Sequence, residues 1–355
     1  MKLSYKIIYY LSCITLFLGC SDEISENTFT TTNSKDQTVE AIQINTFRQI
    51  GNDTNDRSFG ISTRSSGANE FEDIREVESN ETVVVPSLAS HIWLGNIIGK
   101  QSAVNADYLP LAYRINPIKV TSSLPPNYPS GAVELPSYQS MYRFVSEKVL
   151  PNSSFEQNEE FKFSISQFTS YNELKEVFGN NINTSALFWG SSSGESNSDH
   201  TISTATGFYV KFYQTSYTVT MDYPQNPIAS DLSAQSIDSA VYVNSIAFGR
   251  LGVLTVETNT LAEETKRKLN STFNTIFTSG QSYLTQEEKN FLNGCDFKLF
   301  LISGNGKTSV ESFHGYAGFI DHISKGKFSR RQPGSPIFCT FAYVKNNAPF
   351  KAVFK

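Results

Sequence analysis

Cysteine, histidine and tryptophan are scarce in this chain, which has four, four and two of them among 355 residues. Beyond the N-terminal region only Cys295 and Cys339 remain, so the sequence implies no disulfide framework. No cysteine pair has the spacing of zinc ligands, and the histidines form no His-Glu-x-x-His pattern. We therefore predict neither a metal nor another cofactor.

A concentrated basic charge is also lacking. The formal net charge is -5, and the lysines and arginines are scattered along the chain. They form no basic stripe that would neutralise phosphates. Nucleic acid is therefore not an expected partner.

Two short glycine-containing motifs resemble catalytic loops, and neither has the context that such a loop needs. Residues 190–194 fit a nucleophile elbow, but a polar, serine-rich stretch without helical periodicity follows them. Residues 304–308 resemble the end of a phosphate-binding loop, but Leu301 stands where its first glycine belongs. We predict that the protein is not an enzyme.

The N-terminus has the features of a bacterial export signal. Lys2 and Lys6 precede an apolar run, residues 7–18, that is too short to cross a membrane as a helix. The run ends in Leu-Phe-Leu-Gly-Cys20, which is similar to the lipobox of bacterial lipoproteins. We predict a signal peptide at residues 1–19, lipidation of Cys20, and a lipid-anchored protein of the cell envelope or cell surface, with release from the cell as the alternative. The alternative is an ordinary cleaved signal with an incidental cysteine.

Composition divides the rest of the chain into two parts. Residues 20–70 are polar and have few large apolar side chains, which predicts a flexible tether because too little surface can be buried to offset chain entropy. Residues 71–355 are predicted to form the folded core. Aromatic residues make up 13 % of the sequence, mostly Phe and Tyr, which favours strands over helical bundles.

Both strand and helix patterns occur in the predicted core. Residues 216–222 alternate apolar and polar side chains, and residues 241–258 and 297–302 supply further strands. Helical spacing of apolar residues covers 260–277, and Thr285 starts a capping box that opens a second helix. We expect an α+β fold with a twisted antiparallel sheet flanked by helical clusters.

Four stretches of the predicted core together resemble the thiol-activated, cholesterol-dependent cytolysins. They are Arg-Ile-Asn-Pro-Ile-Lys-Val at 114–120, Tyr-Thr-Val-Thr-Met-Asp at 217–222, Val-Asn-Ser-Ile-Ala-Phe-Gly-Arg at 243–250, and Tyr-Val-Lys-Asn-Asn at 343–347. They occur in the order found in that family. The resemblance implies a cytolysin/perforin-like core, and it covers the chain from about Val84 onwards.

The resemblance also implies what to expect beyond the core. The family's next module is a β-sandwich with a Cys- and Trp-rich segment that engages cholesterol-containing membranes. The sequence stops at Lys355 without that segment. We therefore expect the core region only, lacking the C-terminal membrane-binding domain, and we do not carry cholesterol binding over.

In the resembling family, two helical clusters beside the sheet convert into hairpins that enter the membrane. Residues 185–217 and 271–302 are each long enough for two strands of about 10 residues and a turn. Gly304 and Gly306 are the candidate hinge after the last of these strands. The alternative is that both segments are ordinary helices and loops. The candidate membrane-facing residues are Phe208, Val210, Phe212, Phe273, Phe277 and Phe297.

The predicted function is therefore pore formation by a membrane-anchored lipoprotein that oligomerises and inserts β-hairpins. The expected partners are a lipid membrane and other subunits, either copies of this chain or a longer paralogue. The alternative is a non-lytic surface binding or accessory lipoprotein that keeps the cytolysin fold.

Overall fold

The computed structural model describes residues 47–49, 61–65, 75–155, 161–190, 200–224, 227–279, 283–302, 308–316 and 328–354. The predicted lipidation site Cys20 and the predicted hinge residues Gly304 and Gly306 lie outside the described residues. The same holds for the signal peptide and most of the predicted tether.

The described part of the chain alternates strands with short helices. The strands are β1 Phe47–Gln49, β2 Ile61–Ser65, β3 Arg75–Ser79, β4 Thr82–Val83, β5 Ile97–Gly99, β6 Ile118–Ser122, β7 Ser130–Val133, β8 Phe161–Phe168, β9 Thr206–Met221, β10 Ala240–Thr258, β11 Asp296–Ile302, β12 Thr308–His314, β13 Ser335–Tyr343 and β14 Ala352–Phe354. The α-helices are α1 Lys100–Val104, α2 Tyr138–Phe144, α3 Lys175–Phe178, α4 Thr184–Trp189, α5 Ala234–Ser239, α6 Ala262–Ser279 and α7 Gln286–Asn293. Short 3₁₀-helices cover Pro86–His91, Leu150–Asn152 and Tyr171–Leu174, and a π-helical turn, Val145–Val149, continues α2.

One large sheet organises the molecule. Strands β8, β9, β10, β11 and β12 lie side by side in that order, and each is antiparallel to its neighbour. The first half of β10 pairs with β13 on the side where its second half pairs with β11, and its first residues pair with β5, so β10 runs through both parts of the sheet. A smaller sheet contains β2, β3 and β14. The predicted α+β fold with an antiparallel sheet and flanking helices is confirmed.

Alternation along the strands places two apolar clusters on opposite faces of the sheet. Val253 packs in one cluster and its neighbour Leu254 in the other, and the same is true of Phe300 and Leu299. Because successive strand residues face opposite sides, both faces of the central strands are covered. A third cluster fills the other end of the sheet, around the first half of β10.

The helices that cover the two faces come from two long connections. The first helical cluster, defined as Tyr171–Leu174 with α3 and α4, follows β8 and contributes Leu174, Phe178 and Phe188 to one apolar cluster. The second helical cluster, defined as α6 with α7, follows β10 and covers the opposite face. Each face of the sheet therefore carries one helical cluster.

Local sequence explains where these helices begin and end. The capping box predicted at Thr285 is present, since its hydroxyl accepts a hydrogen bond from the Glu288 amide while the Glu288 carboxylate accepts from the Thr285 amide. Gly179 ends α3 in the left-handed conformation, with φ +71°, and a Cβ there would lie 2.1 Å from the carbonyl oxygen of Glu81. Only glycine fits this contact.

Two strands lie inside the segment that composition predicted to be a tether. β1 pairs with β8 in parallel, and β2 pairs with β3. Backbone hydrogen bonds to another strand can hold a short segment that cannot form a core of its own, so β1 and β2 are paired within a segment whose tether role stays a prediction. The prediction for the other residues of 20–70 falls outside the described part of the chain.

Candidate functional site

The six candidate membrane-facing residues, which the sequence places in two separate segments, meet in one apolar cluster. Phe208, Val210 and Phe212 lie on β9, Phe273 and Phe277 on α6, and Phe297 on β11, and none is more than 3 % exposed. The rings of Phe212 and Phe277 are 5.9 Å apart. β9 and β11 lie on either side of β10. Residues of α6, which follows β10, pack with residues of both strands, and this brings the two segments together.

The other face of β9 is buried as well. Strand alternation places Tyr209, Lys211 and Tyr213 on the face opposite to Phe208, Val210 and Phe212, and Lys211 and Tyr213 are each only 5 % exposed. The Lys211 ammonium donates a hydrogen bond to the carbonyl oxygen of Val177 in α3, at 2.9 Å. Burial lowers the pKa of Lys211 to about 8, and the Glu81 carboxylate partly opposes this shift. Alternation alone does not predict this burial, because it cannot tell a half-exposed strand from one covered on both faces.

The positions of β9 and β11 change which residues would have to rearrange to form hairpins. Phe208, Val210, Phe212 and Phe297 are already in strands paired on both sides. The described helices lie instead in the connections 169–205, between β8 and β9, and 259–295, between β10 and β11. A helix-to-strand conversion would therefore concern these two connections more than the ranges 185–217 and 271–302. Residues 191–199, within the first predicted hairpin, lie outside the described residues.

The two connections have the same length and leave the sheet at the same end. Phe168 lies opposite Gly207, Thr206 opposite Thr258, and Glu257 opposite Asp296. These pairs form one row across the sheet, where β8 and β10 end and β9 and β11 begin. If both connections became extended, they would lengthen two adjacent hairpins in the same direction.

Buried polar contacts attach the first helical cluster to the sheet. Tyr171 donates a hydrogen bond to the Glu257 carboxylate on β10 at 2.7 Å, and Glu257 is only 8 % exposed. The second oxygen of Glu257 accepts a hydrogen bond from the Ser203 amide at 3.0 Å. Burial, followed by the hydrogen bonds and charge of Glu257, raises the pKa of Tyr171 well above its usual range. This cluster is held by charge-assisted hydrogen bonds as well as by apolar packing.

A second polar attachment joins the first helical cluster to α1 and the loop that follows it. Just after α3, the Asn180 amide group donates a hydrogen bond to the Tyr108 hydroxyl at 2.8 Å, and both side chains are buried. The next amide, of Asn181, donates to the Val104 carbonyl at 2.7 Å. Releasing this cluster would break buried hydrogen bonds at both ends of α3.

The second helical cluster packs on the sheet through apolar residues, and its first half is strongly charged. The buried side of α6 includes Leu269, Phe273, Ile276 and Phe277. The charged residues near its start are Glu263, Glu264, Lys266, Arg267 and Lys268. In an extended strand, neighbouring residues face opposite sides, so these charges would occupy both faces. A basic residue facing lipid at mid-bilayer costs about 2 to 4 kcal/mol.

The described residues contain neither of two other kinds of site. Among the described residues, no group of three His, Cys, Asp or Glu side chains is arranged to hold a metal ion. Within the same ranges, no helix is both long enough and apolar enough to span a membrane.

Comparison with known proteins points to one family. Residues 137–354 match the family model described as thiol-activated cytolysin. Listeriolysin O of Listeria monocytogenes is 27 % identical over 151 residues, which cover 39 % of this chain and 28 % of that protein. Pneumolysin of Streptococcus pneumoniae is 26 % identical over 151 residues, or 39 % of this chain and 31 % of that one. The matched region is thus less than a third of either relative.

Solved structures show the same fold over more of the chain. The crystal structure of wild type pneumolysin has a TM-score of 0.62 at 19 % identity, covering 83 % of this chain and 63 % of that one. The crystal structure of the human-specific toxin intermedilysin has a TM-score of 0.60 at 19 % identity, covering 82 % and 67 %. At this identity the likeness establishes the fold alone.

Proposed function

Because the chain belongs to the thiol-activated cytolysin family, we propose that it is a pore-forming lipoprotein that oligomerises on a membrane and inserts β-hairpins. One observation carries this proposal. Two helical connections of equal length, 169–205 and 259–295, join adjacent antiparallel strands at the same end of one sheet. An antiparallel pair whose connection becomes extended is a longer hairpin, so the fold has the topology that hairpin insertion requires.

The remaining parts of the proposal come from the sequence. Cys20 is the proposed lipid anchor, which would hold the protein at the bacterial cell envelope or surface. Gly304 and Gly306 are the proposed hinge between β11 and the edge strand β12. Their lack of a side chain would let β12 swing away and expose the β11 edge to another subunit.

The charges in α6 favour a second candidate function, a non-lytic accessory lipoprotein. Residues 259–268 adjoin the sheet, and as a strand they would place charges on both faces. Such a strand has no apolar side to present to lipid. On this reading the fold is kept for binding or assembly, and a longer paralogue supplies the membrane-crossing hairpins.

Electron microscopy of the mature protein on liposomes, with dye release measured in parallel, separates the two candidates. Vesicles of bacterial lipids and vesicles containing cholesterol should both be tried, because the target membrane is undetermined by the fold. Rings accompanied by dye release support pore formation. Bound protein without release supports the accessory function, and failure to bind either membrane contradicts both.

A labelled variant reports directly on α6. A polarity-sensitive dye at Ser271→Cys, on the exposed side of α6, should move to an apolar environment if this connection inserts. Cys295 and Cys339 must first be replaced. The matched control is the same dye at the exposed Gln235 on α5, at the opposite end of the sheet, where no change is expected.

A further inference from the structure

Lys298 on β11 lies between the edge strand and the first helical cluster. Its ammonium is 3.7 Å from the ring centroid of Trp189, the last residue of α4. The same nitrogen donates a hydrogen bond to the Ser312 hydroxyl on β12 at 3.1 Å. Ser312 is also the residue directly opposite Lys298 in the pairing of β11 with β12. One side chain therefore contacts both elements that the proposed insertion must move.

Trp189 is held in an unusual place for an indole. It is 46 % exposed, so apolar burial explains little of its position. The His200 ring stacks on it at 4.7 Å, and the Tyr171 ring meets it edge-on at 5.6 Å. Lys298 provides the contact between this aromatic group and the edge of the sheet.

Two opposing effects act on the charge of the Lys298 ammonium. Partial burial lowers the pKa of Lys298, while the nearby Glu257 carboxylate opposes the shift. Glu257 in turn accepts the hydrogen bond from Tyr171 described above. Lys298, Glu257 and the aromatic side chains thus join the first helical cluster to β10, β11 and β12 at one point.

We propose that Lys298 is a positioning residue that couples the edge strand β12 to the first helical cluster. While β12 is paired, Ser312 holds the ammonium over Trp189 and α4 stays docked. When β12 leaves the edge, the ammonium loses this partner and its hold on Trp189 weakens. Thermodynamic linkage makes the coupling reciprocal, so loosening Trp189 must also loosen β12.

The coupling between β12 and the first helical cluster is a property of the monomer before insertion. A role of this coupling in pore assembly rests on the proposed function. In a Trp93→Phe background Trp189 is the only tryptophan, because the chain has two. Acrylamide quenching then measures the accessibility of Trp189. Ser312→Ala, which alters β12 alone, should increase quenching, and so should Lys298→Met. Lys298→Arg should preserve the original quenching, because arginine keeps the cation over the ring.

Hydrogen exchange tests the reverse direction. Trp189→Leu should speed exchange of the β12 amides by about twofold to fivefold, the factor expected for losing an exposed cation–π contact. In a Lys298→Met background the same change should have no further effect, as a double-mutant cycle requires for residues coupled through Lys298. Lys162→Met is the matched control, since Lys162 lies over the Tyr213 ring at the opposite side of the sheet.

The inference is overturned if Ser312→Ala leaves Trp189 quenching unchanged, or if Lys298→Met and Lys298→Arg behave alike. Because a Trp189 variant can fail to fold, the quenching measurements on the Ser312 and Lys298 variants are sufficient to decide whether the inference stands. Coupling in the monomer without rings on liposomes contradicts the proposed function and leaves this inference standing. Rings without coupling contradict this inference alone.

Discussion

Lys211→Met should change how the stability of the protein depends on pH. Lys211 is buried in β9, bonded to the Val177 carbonyl, with its ammonium 5.0 Å from the Phe338 ring centroid. Burial lowers its pKa in the folded protein to about 8, from 10.5 for an exposed lysine. Between these two values the unfolded chain binds more protons than the folded one. Stability contributed by this group therefore rises with pH across the window from about 8 to 10.5.

The size of the effect follows from the two pKa values. Raising the pH from about 7 to about 9.5 should stabilise the wild type by about 2 kcal/mol through Lys211 alone. Methionine has no proton to lose, so the variant lacks this gain. The difference in free energy of unfolding, wild type minus Lys211→Met, should therefore increase by about 2 kcal/mol over that range. Taking the difference removes the titration of groups that do not interact with Lys211.

Urea unfolding at several pH values measures this difference directly. Lys148→Met, a change at an exposed lysine of the turn after α2, corrects for the loss of one positive charge. A difference that stays constant from about pH 7 to 9.5, or one that falls, would refute the reasoning. Lys211 would then be hydrated in the folded protein, and its contact with Val177 would carry no desolvation cost.

Three further predictions concern the first helical cluster, the hinge and the anchor. Tyr171→Phe removes a hydrogen bond to the buried Glu257 carboxylate and should destabilise the protein by about 1.5 to 3 kcal/mol in urea unfolding, with faster hydrogen exchange in the first helical cluster; equal exchange in both proteins would contradict the attachment. Replacing Gly304 and Gly306 together by Val should reduce ring formation on membranes while circular dichroism shows a folded monomer, whereas undiminished rings would exclude the hinge. Cys20→Ala should abolish lipid labelling and release the protein from membranes, and unchanged membrane fractionation would exclude the anchor.

Local features of the chain were predictable from the sequence because their causes are local. The alternation around Tyr217, Val219 and Met221 depends only on strand geometry, and all three are buried in one apolar cluster as expected. The capping box at Thr285 and the end of α3 at Gly179 follow from residue types within a few positions of each helix end. The family resemblance rested on motifs of the same kind.

The tether boundary and the hairpin ranges depended on contacts that the sequence does not show. β1 pairs with β8, which is distant in the chain, and β2 pairs with β3, and neither pairing can be seen in the polar composition that suggested a tether. The predicted hairpin ranges 185–217 and 271–302 contain both helices and strands that are already paired in the sheet. Apolar alternation cannot separate these cases, because it is the same in a strand of the folded monomer and in a strand that would form only on insertion.

By itself the sequence determined the α+β fold class, the order of strands and helices from residue 216 to residue 302, and the family, since these follow from periodicity, helix caps and short motifs. Tertiary structure alone decided that Phe208 and Phe277 share one cluster, that Lys211 is buried, and that Lys298 contacts both Trp189 and Ser312. The physical reason is sheet order. Which strands become neighbours, and which helix covers each face, depends on long-range pairing, and only that pairing turns an alternating pattern into a strand buried on both sides.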